Sequence, residues 1–326
     1  MKKGAWLLAL VLTGCNPAPT PLASYPQRLA AVLDTQAPAL SPPLLEKGGG
    51  RAWALAVPQL TINLRQTFAL RHCNLLGLIG ERNAPLGKTA PPSQRLLYEL
   101  TLLEGLNACH PEDSDLQTLV TDLAAQKTQA LPLVLWQLLA EDQAFKANWH
   151  HDRRGPGDFA GIADAQSLFS DLYRLRQGPD PKGQARLEAS LGRFASARPL
   201  ARVNQALSDA RYALDAATAL INNQGPKLLC VNGKPGQQAR RVRDFFFSYY
   251  GKEVQPYLGR LQSADRALKE SLWPLVDALP HPDLAAIALL ASPEPQSLSG
   301  QFKAAIDRHT KAWQDFLGRC GLRPGQ

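Results

Sequence analysis

Apolar residues recur along most of this chain at steps of three, four or seven, the spacing of one helix face. The run YPQRLAAVLD sets Leu29, Val32 and Leu33 in that rhythm. From Trp53 to Glu81 it continues through Leu60, Leu64, Phe68, Leu75 and Ile79, which predicts a long helix interrupted at Pro58 and stopped by Asn83-Ala84-Pro85-Leu86-Gly87. A second helix is expected after Pro91-Pro92, capped by Ser93, with Leu96, Leu97, Leu100, Leu103 and Leu106 as its buried stripe. The short connection makes the two an antiparallel hairpin. Leu116–Lys127 follows, capped by Ser114, and then Leu131–Ala147 with Pro132 in its first turn. Phe159–Arg176, Gly183–Asn222 (with only Pro199 to stop it), Val254–Leu279, Asp283–Leu290 and Ser297–Leu317 complete the helical series. KLLCV at 227–231, followed by Asn232-Gly233-Lys234-Pro235-Gly236, allows at most one tiny β-hairpin near 227–240. With no strand-rich block and no fixed-period repeat, the expected fold is all-α, a multi-helix bundle with long antiparallel helices.

The first residues follow another pattern. Lys2 and Lys3 precede an apolar run, Ala5–Leu12, far shorter than the roughly 20 residues that span a bilayer. That is the layout of an export signal. It ends in Leu12-Thr13-Gly14-Cys15, which resembles the bacterial lipobox. The resemblance implies lipidation of the Cys15 thiol, removal of residues 1–14 and a membrane anchor of several acyl chains. Asn16, where an Asp would favour retention at the inner membrane, implies the inner leaflet of the outer membrane, facing the periplasm. Residues 15–24, with three prolines in NPAPTPLAS, read as a stiff tether. Residues 25–326 read as a single helical domain.

This address changes how charge and cysteines are read. The chain carries 36 Lys+Arg against 28 Asp+Glu; without Lys2 and Lys3 that is 34 against 28, a formal charge of +6. A basic excess raises nucleic acid as a partner in the cytosol. In the envelope it favours anionic head groups, cell-wall polymers or an envelope protein, and no nucleic acid is expected. Beyond Cys15, four cysteines remain: Cys73, Cys109, Cys230 and Cys320. An oxidising compartment and an even count predict disulfides, of which Cys73–Cys109 and Cys230–Cys320 is the preferred of three connectivities. A zinc site would want C-x-x-C pairs or matched His spacing, and neither is present.

Candidate chemistry concentrates at the tip of the first hairpin, where Glu81, Arg82, Asn83, Lys88, Gln94, Arg95 and Glu99 gather polar groups. They serve either as a binding surface, for instance for an anion near a helix N-terminus, or as caps and ion pairs that fix the turn, Glu81 with Arg95 and Arg82 with Glu99. Arg240, Arg241 and Arg243 precede an aromatic run in which Val242, Phe245, Phe246 and Tyr249 are expected in the core, with Phe247 and Tyr250 partly exposed. His150-His151-Asp152 invites a metal, but adjacent helical histidines diverge by about 100° and chelate poorly. No metal and no cofactor are expected. Glu99 and Glu104 are the carboxyls a cell-wall hydrolase would use, yet no catalytic motif surrounds them, and no nucleophile elbow, P-loop or dinucleotide fingerprint occurs.

LIGERNAPLGK followed by SQRLLYEL resembles the signature stretch of a proteobacterial lipoprotein family, the domain of unknown function 3080 family. YPQRLAAVLD, KEVQPYL and CGLRPG fit the same family in the same order. The resemblance implies a periplasmic lipoprotein of uncharacterised role and brings no catalytic residues with it. Three functions are weighed: a non-enzymatic binding or scaffold protein of the envelope first, then a cell-wall hydrolase, then a carrier of a lipid or small hydrophobic ligand.

Overall fold

The computed structural model describes residues 20–40, 42, 45, 48–60, 62–150, 152, 159–228, 230–231, 234–282, 285–319 and 321–322. Across them the chain is all-α. The helices are α1 (Pro21–Val32), α2 (Leu64–Ala69), α3 (Leu76–Asn83), α4 (Pro85–Lys88), α5 (Pro92–Asn107), α6 (Ser114–Glu141), α7 (Gln143–Trp149), α8 (Ile162–Leu175), α9 (Pro181–Ala197), α10 (Pro199–Gln224), α11 (Gln237–Phe245), α12 (Gln255–Asp277), α13 (Ala285–Ala291) and α14 (Leu298–Arg319). Strand structure among the described residues is one ribbon, Cys230–Val231 antiparallel to Lys234–Pro235, inside the expected window.

The main core forms around α10, which is buried along most of its length through Leu200, Val203, Leu207, Leu214 and Ile221. α1, α12 and α14 pack on it, and α8 lies between α9 and α12. Phe145, Phe169 and Phe194 meet with ring centroids 5.2 to 6.4 Å apart. The buried indoles are satisfied as well as packed: Trp136 Nε1 donates to the Trp53 carbonyl at 2.7 Å, and Trp149 Nε1 to the Leu139 carbonyl at 2.7 Å.

Two buried titratable groups are tied into this core by hydrogen bonds. Thr218 donates its hydroxyl proton to the Leu214 carbonyl at 2.7 Å, so its oxygen is left to accept from His309 Nδ1 at 2.9 Å. That tautomer leaves His309 Nε2 an acceptor for the Tyr25 hydroxyl at 2.8 Å, and α1 is thereby tied to α14. Burial pushes the imidazole down to about 3, and it is neutral at physiological pH. Lys269 Nζ donates to Asn204 Oδ1 at 2.8 Å and to the Leu290 carbonyl at the end of α13. Its burial lowers it to about 8, against the opposing pull of Asp265.

Several boundaries differ from the expected ones, each for a local reason. The helix expected over Trp53–Glu81 is divided into pieces. Trp53 ends a 3-10 turn, the residues after it through Pro58 are irregular, and Asn63 starts α2 with a capping box. Asn74 then takes a left-handed conformation, φ 56°, and separates α2 and its 3-10 extension from α3. Pro91, and not Ser93, caps α5; Ser93 is buried in its first turn. Leu116–Lys127 and the first part of Leu131–Ala147 merge into α6, capped by Asp113 in place of Ser114, and Asp142 ends it and caps α7, which takes the rest. Pro132 is interior there, and the carbonyl it deprives of a donor belongs to Thr128, on the exposed face where water can replace the bond. The stretch 183–222 is cut in two where Arg198 turns left-handed, φ 48°, ahead of Pro199. The last residues of the expected tether, from Pro21, form the first turn of α1. Tyr250, expected at the surface with Phe247, is buried, whereas Phe247 is 40% exposed. A π-helix over Phe246–Val254 changes the helical period there, and Tyr250 stacks on Phe246 and packs against His309 and Trp313.

A second, smaller core lies beside the first. Leu70, Leu75 and Ile79 from the α2–α3 segment meet Leu102 and Leu106 of α5 and Leu116, Val120 and Leu123 of α6. The α5–α6 hairpin serves both cores, since Leu96, Leu100 and Leu103 face the main one. The expected Cys73–Cys109 disulfide latches the small core, joining the end of the α2 segment to the end of α5 with Cα atoms 5.3 Å apart. Closing its loop contributes up to about 4 kcal/mol in the chain-entropy picture. Cys15, Cys320 and the side chain of Cys230 lie outside the described residues, and with them the lipidation site and the Cys230–Cys320 pairing.

Candidate functional site

Between the α2–α4 cap and the α5–α6 hairpin opens a cleft of about 510 Å³. Two glycines set its shape. Gly105 on α5 admits Leu75, whose Cδ2 lies 2.5 Å from where a Cβ would stand, and so seats the cap on the hairpin. Gly87 lets α4 fold back on the end of α3; a Cβ there would collide with the Glu81 carbonyl and lie 2.8 Å from Arg82 Cα. The turn is closed by Arg82 Nη1, which donates to the Gly87 carbonyl at 2.7 Å.

The floor of the cleft is apolar: Leu70, Ile79, Leu102, Leu106 and Leu123 are all buried. Its walls carry four cations, Arg82, Lys88, Arg95 and Lys127. The carboxylate beside them is Glu99, whose side chain is 4% exposed. Lys127 Nζ lies 2.7 Å from its Oε2, and Arg95, one turn earlier on α5, pairs with Oε1. These are charge pairs without directional hydrogen-bond geometry, and both carboxylate oxygens are buried. Against one anion, the four cations leave an excess of three positive charges. Arg82 Nε is buried with no hydrogen-bond partner among the described residues. Tyr98 shares the wall, with Arg95 and Lys127 5.8 and 6.0 Å from its ring. Desolvation, then the charge of Glu99, pushes its phenol up to about 12, so it stays a neutral hydroxyl.

Of the seven polar residues at the hairpin tip, Arg82, Asn83, Lys88 and Arg95 line this cleft and Glu99 lies behind its wall. Glu81 is exposed and does not line it. Gln94 is turned away and donates to Glu188 of α9 at 2.7 Å. The expected pairs Glu81–Arg95 and Arg82–Glu99 are replaced by Arg95–Glu99, Lys127–Glu99 and the Arg82 bond to Gly87, because Arg95 and Glu99 share one face of α5 and Lys127 arrives from antiparallel α6. Lys127 and Tyr98 were not foreseen. Tyr98 was legible in principle, one residue before Glu99, whereas Lys127 has no local signal.

On the α8–α9 face the carboxylates are paired. Asp171 is held by Arg174 and Arg186 (2.8 Å), and Asp164 by Arg193 (3.0 Å), across the α8–α9 groove. Glu104 is exposed and lies outside the cleft lining. Among the described residues no group of three or more His, Cys, Asp or Glu could hold a metal, and no helix is long and apolar enough to cross a membrane. His151 lies outside the described residues.

The class these features define is an all-helical protein with a disulfide-latched, cation-walled cleft over an apolar floor. A family model described as "Protein of unknown function (DUF3080)" matches residues 22–324, and the chain belongs to that family. No curated protein and no solved structure matches it.

Proposed function

We propose that this protein is a non-enzymatic binding protein of the bacterial cell envelope, held by lipid on Cys15 in the inner leaflet of the outer membrane, with its helical body in the periplasm. The cleft carries the binding half of this reading. Three uncompensated positive charges over a dry floor are arranged to hold something anionic, and the nearby carboxylate is occupied by Arg95 and Lys127. The lipobox-like Leu12-Thr13-Gly14-Cys15 carries the address. The Cys73–Cys109 disulfide supports it, since such bonds persist in oxidising compartments.

Each half has its own experiment. For the address, Cys15→Ser should move the protein from the membrane fraction to the soluble periplasm and abolish labelling by a palmitate analogue. Retention on the membrane without that thiol would refute the anchor. For the binding role, in-cell crosslinking should enrich an envelope component with the wild-type protein and lose it with Arg82→Glu. Equal enrichment by both proteins removes the cleft as the binding site.

A further inference from the structure

The exposed apolar side chains of this molecule are not scattered. Six large ones are exposed among the described residues, and Leu64, Phe68, Leu76 and Leu86 all belong to α2, α3 and α4. Leu64 is 85% and Leu86 86% exposed. The cap thus exposes four large apolar side chains, and the cleft beneath it is cationic over an apolar floor. A volume near 510 Å³ falls within the range of small-ligand pockets. Free phosphate or a nucleotide would use the cations and waste the floor. A neutral glycan would find Tyr98 as its aromatic platform and would leave Arg82 and Lys88 unanswered.

We propose that the cleft binds an anionic amphiphile with one acyl chain, its carboxylate or phosphate head on Arg82, Lys88 and Lys127 and its chain on the floor of Leu70, Ile79, Leu102, Leu106 and Leu123. This rests on the binding reading above and names the ligand. Arg82 supplies a buried N–H that lacks a partner, and Lys88 an exposed ammonium for which no ion pair is formed among the described residues. Charge-assisted hydrogen bonds from these two place the head, and the methylene groups enter the space above the α5–α6 hairpin.

The test is calorimetric titration of the disulfide-bonded protein with decanoate, laurate and dodecyl phosphate, each below its micelle concentration, beside 1-dodecanol and inorganic phosphate. Laurate and dodecyl phosphate should bind one to one; the stronger of the two identifies a fatty acid or a phospholipid derivative as the source. Decanoate should bind about 15-fold more weakly than laurate, from roughly fourfold per methylene. Dodecanol should bind at least about tenfold more weakly than laurate, and inorganic phosphate should not saturate in the same range. Arg82→Gln with Lys88→Gln, both at partly or fully exposed positions, should cost laurate about tenfold or more. Affinity independent of chain length, or dodecanol binding as tightly as laurate, overturns the proposal without requiring any variant to fold. Binding to anionic vesicles with no saturable binding of monomeric amphiphile also overturns it, in favour of a membrane-docking face. The crosslinking experiment above decides the broader binding reading separately: a partner lost with Arg82→Glu preserves that reading even if every amphiphile fails.

Discussion

The two cores of this protein are built on opposite principles. The main core is wide and aromatic, and two of its buried titratable groups are answered: His309 by Thr218 and Tyr25, Lys269 by Asn204 and Leu290. The small core is a thin layer of leucines under three short helices that leave four large apolar side chains in water. Its cations outnumber its anion, and a covalent bond supplements its packing. The difference teaches where to look for function: the main core answers its buried His309 and Lys269, while the cleft beside the small core leaves open more cations than its one carboxylate balances. Such openness is what a binding surface requires.

The contrast can be broken from the main core first, with the largest expected effect. His309 sits at about 3 in the folded state against 6.5 when unfolded, and the groups facing it, Tyr25, Thr218, Tyr250 and Trp313, carry no charge. The unfolded chain therefore binds the extra proton. Its contribution to stability is complete above pH 6.5 and is lost as pH falls toward 3, by roughly 5 kcal/mol at most. Urea unfolding of wild type and His309→Gln between pH 7 and 4 measures it: the gap between them should narrow as the pH drops. A gap constant with pH would mean that the imidazole is charged or solvated in the fold.

The disulfide comes next. Cys109→Ser should loosen the small core by up to about 4 kcal/mol. Hydrogen exchange should rise across residues 64–88, while α10 keeps its protection. Parallel loss in α10 would show that the two cores open as one unit. The smallest effect sharpens the comparison further. Asn63 Oδ1 accepts from the Gln66 amide at 2.8 Å to start α2 on an exposed surface. Asn63→Ala should cost about 1 kcal/mol, read as faster exchange over 64–69 alone.

The long amphipathic helices were legible because their apolar faces and their breakers agree. α8 and α14 end within a few residues of the bounds that Gly178-Pro179 and Gly318 imply. The cap was misread for the converse reason: leucines at helical spacing in 53–81 persist through Pro58, Asn63 and Asn74, and those three residues decide the backbone. Tyr250 was misassigned because the π-helix changes the period under an otherwise ordinary pattern. Half the cleft was readable in the polar residues around the α4–α5 turn. The other half required the antiparallel pairing of α5 and α6, which brings Lys127 to Glu99 from 28 positions away. No local signal carries that pairing.

The Cys73–Cys109 bond also sets an order of events. In a reducing cytosol both thiols stay open, and the cap would rest on the α5–α6 hairpin through apolar packing alone, Leu75 in the notch left by Gly105 included. The cleft would then be finished only where an oxidant reaches the chain. On the exported, anion-binding reading proposed above, the protein would be unable to capture anions in the compartment that makes it and would become competent on arrival.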